Sequence, residues 1–272
     1  MVRTKGQGRE GDGDTWYTRM EEATAALSRA RQGRDLASEA EACHDLAFLH
    51  SLAGNHRDAA EMARACLRTR RRLDEPLAIA RALAGMGALA GGRGSLQESE
   101  PWLRRTLAAY CRVASVEERC MAAVAFAQVL ASMGRTGEAH AVVAGSLDLC
   151  TDDSLAWCRW SLLEVDAEAF LHERRPEAAL ACMEAAFHER QRQDAVGSTG
   201  LRLLAQVYQE AGCPWEAKEM YRMAFEQACS EGDGQEMDLA RNGSCQVSSP
   251  HSAATVRKAP TGMKLGAWVR PN

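Results

Sequence analysis

Residues 40–67 read AEACHDLAFLHSLAGNHRDAAEMARACL, and this stretch decides the fold. Before Gly54 the apolar and small residues recur at intervals of three and four, and after Asn55 a second series does the same. This spacing predicts two amphipathic helices, which we call helix A and helix B. Gly54 suits the end of helix A because glycine adopts the left-handed backbone conformation without a side-chain clash.

The same pattern returns along the chain at an almost constant interval. The turn residues aligned with Gly54 are Gly94, Gly134, Glu173 and Gly212, so successive turns lie 40, 40, 39 and 39 residues apart. An acidic residue and a small residue open each helix B, and the small residues are Ala59, Ser99, Ala139, Ala178 and Ala217. Self-similarity over this length is typical of a helical solenoid, in which each repeat packs on its neighbours.

The repeat resembles the tetratricopeptide repeat (TPR), whose small residues let the two helices approach closely. In the middle of helix A these residues are Ala47, Gly87, Ala127 and Ala205, and late in helix B they are Cys66, Thr106, Ser146, Ala185 and Ala224. The fifth repeat departs from the pattern, with Asp166 at a small-residue position. The period also exceeds the usual ~34 residues, so the chain resembles the longer-helix type found in some signalling and motor adaptors. The resemblance spans roughly residues 15–240 and implies a fold rather than a ligand.

The repeat predicts an all-α fold, a right-handed solenoid of helical hairpins with about five helix pairs and a partial repeat at each end. We expect the repeat domain at residues 15–241 and disordered tails at residues 1–14 and 242–272, because neither tail has a helical period. The pattern stops at Asn242-Gly243, inside a repeat and without the polar capping helix that solenoids usually need. We therefore expect a truncated or alternatively ended form of a longer repeat protein.

Composition and charge narrow the possible functions. The apolar content of 46% suits a folded soluble protein, and the formal net charge of −4 argues against nucleic-acid binding driven by phosphate neutralisation. No apolar stretch is long enough for a membrane span, and the first residues lack the apolar core of a signal peptide. The ten cysteines are scattered without a CxxC pair, as expected for buried thiols in a reducing compartment such as the cytoplasm.

The sequence contains no recognisable catalytic or cofactor motif. It has no HExxH zinc motif and no GxSxG nucleophile motif, and the glycine cluster around residues 87–94 lacks the Lys-Ser/Thr of a phosphate-binding loop. Paired carboxylates lie at helix starts, where the helix dipole explains them. We therefore predict no catalytic residue, no metal and no cofactor, and a protein that is not an enzyme.

What remains is the surface of the repeats. The TPR resemblance implies that helix A of each repeat lines a concave groove. The outward positions give these candidate partner-binding residues: His44, Phe48, Arg81, Met121, Gln128, Trp160, Leu163, Phe170, Arg202 and Gln206. The middle of this set is apolar, with arginines near its edges, which suits a peptide with hydrophobic anchors and some acidic residues. The alternative is that these side chains pack against neighbouring helices and leave no open groove.

The sequence therefore predicts a non-catalytic protein-interaction scaffold or adaptor that binds a partner peptide or helix in the concave groove. One alternative is a structural subunit that self-associates through its uncapped C-terminal end. Another is a helical-repeat RNA binder, which would need a basic concave face. A run of arginines, Arg68 and Arg70–Arg72, ends one helix B. It is either a localisation signal or patch for an anionic partner, or a solvated helix end that the helix dipole favours.

Overall fold

The computed structural model describes the backbone of residues 10–247 and the side chains of residues 16–247. Within this range the chain forms twelve α-helices, a short 3₁₀ helix at Asp153–Leu155 and no β-strand. The helices are α1 (Glu10–Gly33), α2 (Leu36–Leu52), α3 (His56–Leu73), α4 (Pro76–Gly92), α5 (Leu96–Val113), α6 (Val116–Ser132), α7 (Thr136–Leu147), α8 (Ala156–His172), α9 (Pro176–Arg192), α10 (Ser198–Glu210), α11 (Pro214–Glu231) and α12 (Gly234–Val247). None of these described helices is long and apolar enough to cross a membrane. The predicted all-α fold of helical hairpins is confirmed.

The chain divides into two compact units between Met133 and Gly134. In the N-terminal unit α2 pairs with α3 and α4 with α5, while α1 packs on α2 and α6 on α5. In the C-terminal unit α8 pairs with α9 and α10 with α11, while α7 packs on α8 and α12 on α11. Within each unit a helix mainly contacts the helices next to it in the sequence, as repeat proteins do.

Small residues allow the two helices of a pair to approach closely. The pair α4–α5 shows this best, because a Cβ on Gly87 would lie 2.6 Å from Cδ2 of Leu103. The Ser99 hydroxyl, fully buried in α5, donates a hydrogen bond of 2.8 Å to the carbonyl oxygen of Gly87. A larger residue at position 87 would separate the helices and break this bond.

The turn of the fifth repeat lies one residue later than predicted. Arg174, not Glu173, has the left-handed backbone angle, with φ of 60°. The next amide, on Arg175, donates a hydrogen bond of 2.9 Å to the carbonyl oxygen of Phe170, as the residue after Gly54 does to His50. A side chain in this conformation costs roughly 1 kcal/mol, which a packed repeat tolerates. Because this turn contains no glycine, the sequence pattern does not mark its position.

The corrected register makes the fifth repeat regular. Its small residues are Ala167, Ala179 and Ala186, which are 1%, 0% and 0% exposed. The predicted residues Ala178 and Ala185 lie one place off, half-buried and exposed respectively. The turn residues thus become Gly54, Gly94, Gly134, Arg174 and Gly212, spaced by 40, 40, 40 and 38 residues.

Both ends of the helical region extend beyond the predicted limits of residues 15 and 241. Helix α1 begins at Glu10, and α12 continues past Asn242-Gly243 to Val247. A Cβ on Gly243 would lie 2.3 Å from Cε1 of Tyr221, so this glycine is a point of close packing on α11 rather than a helix end. The rest of the predicted disordered tails, residues 1–9 and 248–272, lies outside the described residues.

The last described helix has a mainly polar outward face. Its exposed residues between 235 and 246 are Gln235, Asp238, Leu239, Arg241, Asn242, Cys245 and Gln246. Helix α12 packs on α11 and buries Ala240 and Gly243. The predicted helix limit at residue 241 is therefore too early, because Gly243 packs inside the helix rather than ending it.

Candidate functional site

The predicted groove positions of α2 surround a hollow in the N-terminal unit. Its volume is about 240 Å³. His44, Phe48 and Ser51 on α2 form one rim, and Ala88 and Leu89 on α4 form the other. Both α2 candidates, His44 and Phe48, thus border this hollow.

Small residues from three helices form the floor of this hollow. They are Ala47, Ala63, Cys66, Ala82 and Gly85. Their side chains end close to the backbone and cannot fill the space between α2, α3 and α4. The composition that permits close helix packing thus also leaves a concave apolar surface between the pairs.

Phe48 is the most exposed aromatic residue of this rim. It is 53% exposed, and it also borders a second hollow of about 590 Å³ between α1 and α2. Charged residues line much of that second hollow, among them Arg19, Glu22, Arg29 and Asp45. An exposed phenyl ring between two concavities is apolar surface that a partner can bury.

Three further candidates on α4 and α6 are exposed but lie away from the hollow. They are Arg81, Met121 and Gln128. The Arg81 guanidinium lies 2.8 Å from the carboxylate of Glu118 and donates a hydrogen bond to it. This bond is the main reason that the pKa of Glu118 lies below its ordinary value. Arg81 is therefore already engaged by an acidic group of its own unit.

The three candidates on α8 are half-buried rather than open. Phe170 packs against the core of the C-terminal unit, with its ring centroid 4.2 Å from that of His140. Trp160 is covered by Arg190, whose guanidinium carbon lies 5.0 Å from the centre of the indole. These two aromatic rings therefore pack against groups of their own unit. This is the arrangement expected under the alternative that the candidate side chains leave no open groove.

With the corrected register, two of the three rim positions on α8 are acidic rather than apolar. The α8 positions equivalent to the α2 rim are Glu164, Glu168 and Leu171. Glu164 lies 2.7 Å from Arg190, and burial raises the pKa of Glu168. The apolar trough predicted from Trp160, Leu163 and Phe170 is thus absent from this helix.

The α10 candidates differ in accessibility. Arg202 is half-buried, and its Nε lies 2.7 Å from a carboxylate oxygen of Glu236 on α12. Gln206 is exposed and accepts a hydrogen bond of 3.0 Å from Arg202. Arg202 therefore joins α10 to α12, and its charge is matched within the protein.

A polar cluster that the sequence analysis did not identify lies between α7, α8 and α9. His140 Nδ1 lies 2.6 Å from Asp166, and the Cys182 thiol donates a hydrogen bond of 3.6 Å to the other oxygen of that carboxylate. Burial, followed by the charge of Asp166, raises the pKa of Cys182 to about 12. This shift is opposite in direction to the lowered pKa that is typical of nucleophilic cysteines.

A further hollow, which the sequence analysis did not identify, lies between α11 and α12. Its volume is about 410 Å³, and Trp215, Tyr221, Phe225 and Arg241 are among its lining residues. Trp215 is 65% exposed. Two of its lining residues, Ser244 and Cys245, lie beyond the predicted helix limit at residue 241.

No protein-family model and no curated protein matches the sequence. Solved structures match its fold. BtubC (BKLC) from P. vanneervenii has a TM-score of 0.67 at 16% identity, over 80% of this chain and 92% of that chain. A putative kinesin light chain from Podosopora anserina with nearly identical TPR-like repeats has a TM-score of 0.55 at 16% identity, over 70% and 95%.

A third match is a Rap protein crystallised with competence and sporulation factor. Its TM-score is 0.54 at 16% identity, over 85% of this chain and 60% of that chain. At these identities the likeness shows the fold alone. The chain has the architecture of TPR-like repeat proteins, as its repeating small residues indicated.

Proposed function

We propose that this protein is a non-catalytic interaction scaffold that binds a segment of a partner protein at the α2–α4 hollow. An apolar side chain of the partner enters the hollow, and Phe48 covers it from the rim. A helical or extended segment satisfies this geometry, because either can project one anchor side chain.

The observation that carries this proposal is an exposed phenylalanine beside an apolar hollow with a floor of small residues. Burying a phenyl ring contributes about 1.5–3 kcal/mol, and aromatic residues are frequent among binding hot spots. The Rap protein with its bound factor provides a precedent for ligand binding by a similar fold. We also propose a reducing compartment such as the cytoplasm, which suits a chain with six of its ten cysteines buried.

A peptide library displayed on phage and selected on the intact protein tests the site. We expect the selected peptides to share an apolar anchor residue and to lose about tenfold or more in affinity for Phe48→Ala. Ala88→Leu should have a similar effect by filling the hollow from its exposed rim. Fluorescence anisotropy with labelled peptides measures both dissociation constants.

Leu52→Ala is the matched control for this experiment. Leu52 lies on the same helix and is 64% exposed, but it does not line the hollow. Its replacement should change the affinity less than twofold. Failure to select any peptide, or equal binding to Phe48→Ala and the wild-type protein, would refute the proposal.

A further inference from the structure

The outward face of α3 carries an arginine stripe that the proposed function does not use. We define this stripe by five exposed residues: Arg57, Arg64, Arg68, Arg71 and Arg72. Their spacing of seven, four, three and one places them along one side of the helix over about 22 Å. The whole helix contains six arginines and two acidic residues, a formal net charge of +4.

The other repeats show that the fold does not require these arginines. At the positions equivalent to Arg68 they carry Ala108, Asp148, His188 and Glu226. At the positions equivalent to Arg57 they carry Gln97, Gly137, Glu177 and Trp215. Only α3 has a cation at all five positions, although helix B packs on helix A in the same way in other repeats.

The stripe is not neutralised by ion pairs within the described part of its own unit, although exposed Glu61 lies one turn from Arg57 and Arg64 on the same side of the helix. Among the described residues, no ion pair involves any of the five arginines, whereas the sixth, Arg70, lies 2.9 Å from Glu75. Like charges one turn apart on a helix destabilise it, although the helix dipole favours the arginines in the last turn of α3. A bound anionic partner would remove the repulsion.

We propose that the α3 stripe binds an acidic segment of a partner protein. All five cations are arginines, whose planar guanidinium groups form paired hydrogen bonds with carboxylates. Helices α3 and α5 carry no exposed aromatic residue on which a nucleic-acid base could stack. The overall charge of −4 further disfavours a long polyanion, which would approach much more of the surface than one helix.

The probe is a labelled peptide of about 15 residues. Its glutamates lie three and four positions apart to match the helical rise. We expect it to bind the intact protein and to weaken as salt rises from about 50 to 200 mM. The triple variant Arg64→Gln/Arg68→Gln/Arg71→Gln should lose about tenfold in affinity. Phe48→Ala should leave this affinity unchanged, which separates the stripe from the α2–α4 hollow.

The control variant Arg34→Gln/Arg174→Gln/Arg192→Gln removes the same charge from exposed positions outside the stripe. Its affinity for the peptide should change less than twofold. Equal losses in the two triple variants would overturn the proposal in favour of a net-charge effect. Absence of binding would also overturn it, as would tighter binding of single-stranded RNA or phosphatidylserine vesicles than of the acidic peptide.

Discussion

At the scale of single residues, the backbone angle decides the effect of replacing a glycine that has no close neighbours. Gly54 has φ of 74°, Gly145 lies inside α7, and a Cβ at either position would meet no atom within 4 Å. We expect Gly54→Ala to lower the free energy of unfolding by about 1–2 kcal/mol, because alanine is strained at positive φ. Gly145→Ala should raise it by about 1 kcal/mol, since alanine favours the helix. Urea unfolding followed by circular dichroism measures both changes, and destabilisation by Gly145→Ala would contradict this account.

Arg174 shows why the site was only partly predictable from the sequence. Glycine marks four of the five turns, but strain of roughly 1 kcal/mol is too small to make it obligatory at the fifth. A shift of one residue rotates the assigned face of a helix by about 100°. That rotation exchanged Glu164 for Leu163 and turned a polar surface into a predicted apolar trough. Where the turn was assigned correctly, at Gly54, the outward positions His44 and Phe48 are exposed.

At the scale of helices, the small-residue pattern predicted pairing better than it predicted helix ends. Glycine has two opposite meanings, a helix stop at positive φ and a close contact inside a helix. Gly243 belongs to the second kind, and only the position of Tyr221 on the neighbouring helix reveals it. Part of the lining of the hollow beside α11 could not be predicted for the same reason, since Ser244 and Cys245 follow Gly243.

Helix α12 provides a prediction in which helix propensity and packing oppose each other. Gly243→Ala favours the helix by about 1 kcal/mol, but its Cβ would lie 2.3 Å from the ring of Tyr221. Because that ring is 3% exposed and confined by the core, we expect packing to dominate and α12 to detach from α11. Hydrogen exchange should show faster exchange in α12, with α2–α4 unchanged. Slower exchange in α12 would mean that the ring moves aside.

At the scale of the whole molecule, the sequence predicted a chain of locally packed repeats, and the structure adds a division into two compact units. Leu204, with an exposure of 0%, lies in the large core cluster of the C-terminal unit. Leu46, with an exposure of 4%, lies in a core cluster of the N-terminal unit. In a repeat protein, stability is roughly a sum of local terms, so damage to one core should remain local.

We expect Leu204→Ala to lower the free energy of amide opening in α8–α11 by about 2–5 kcal/mol, the usual cost of a leucine-sized cavity. The free energies of amide opening in α2–α4 should change by less than about 0.5 kcal/mol, as expected for distant and independent sites. Leu46→Ala is the matched variant and should give the reverse pattern. Native-state hydrogen exchange read by mass spectrometry resolves both units in one experiment. Equal losses in the two units from either variant would mean that the molecule unfolds as a single cooperative body, and the additive description of its repeats would then fail.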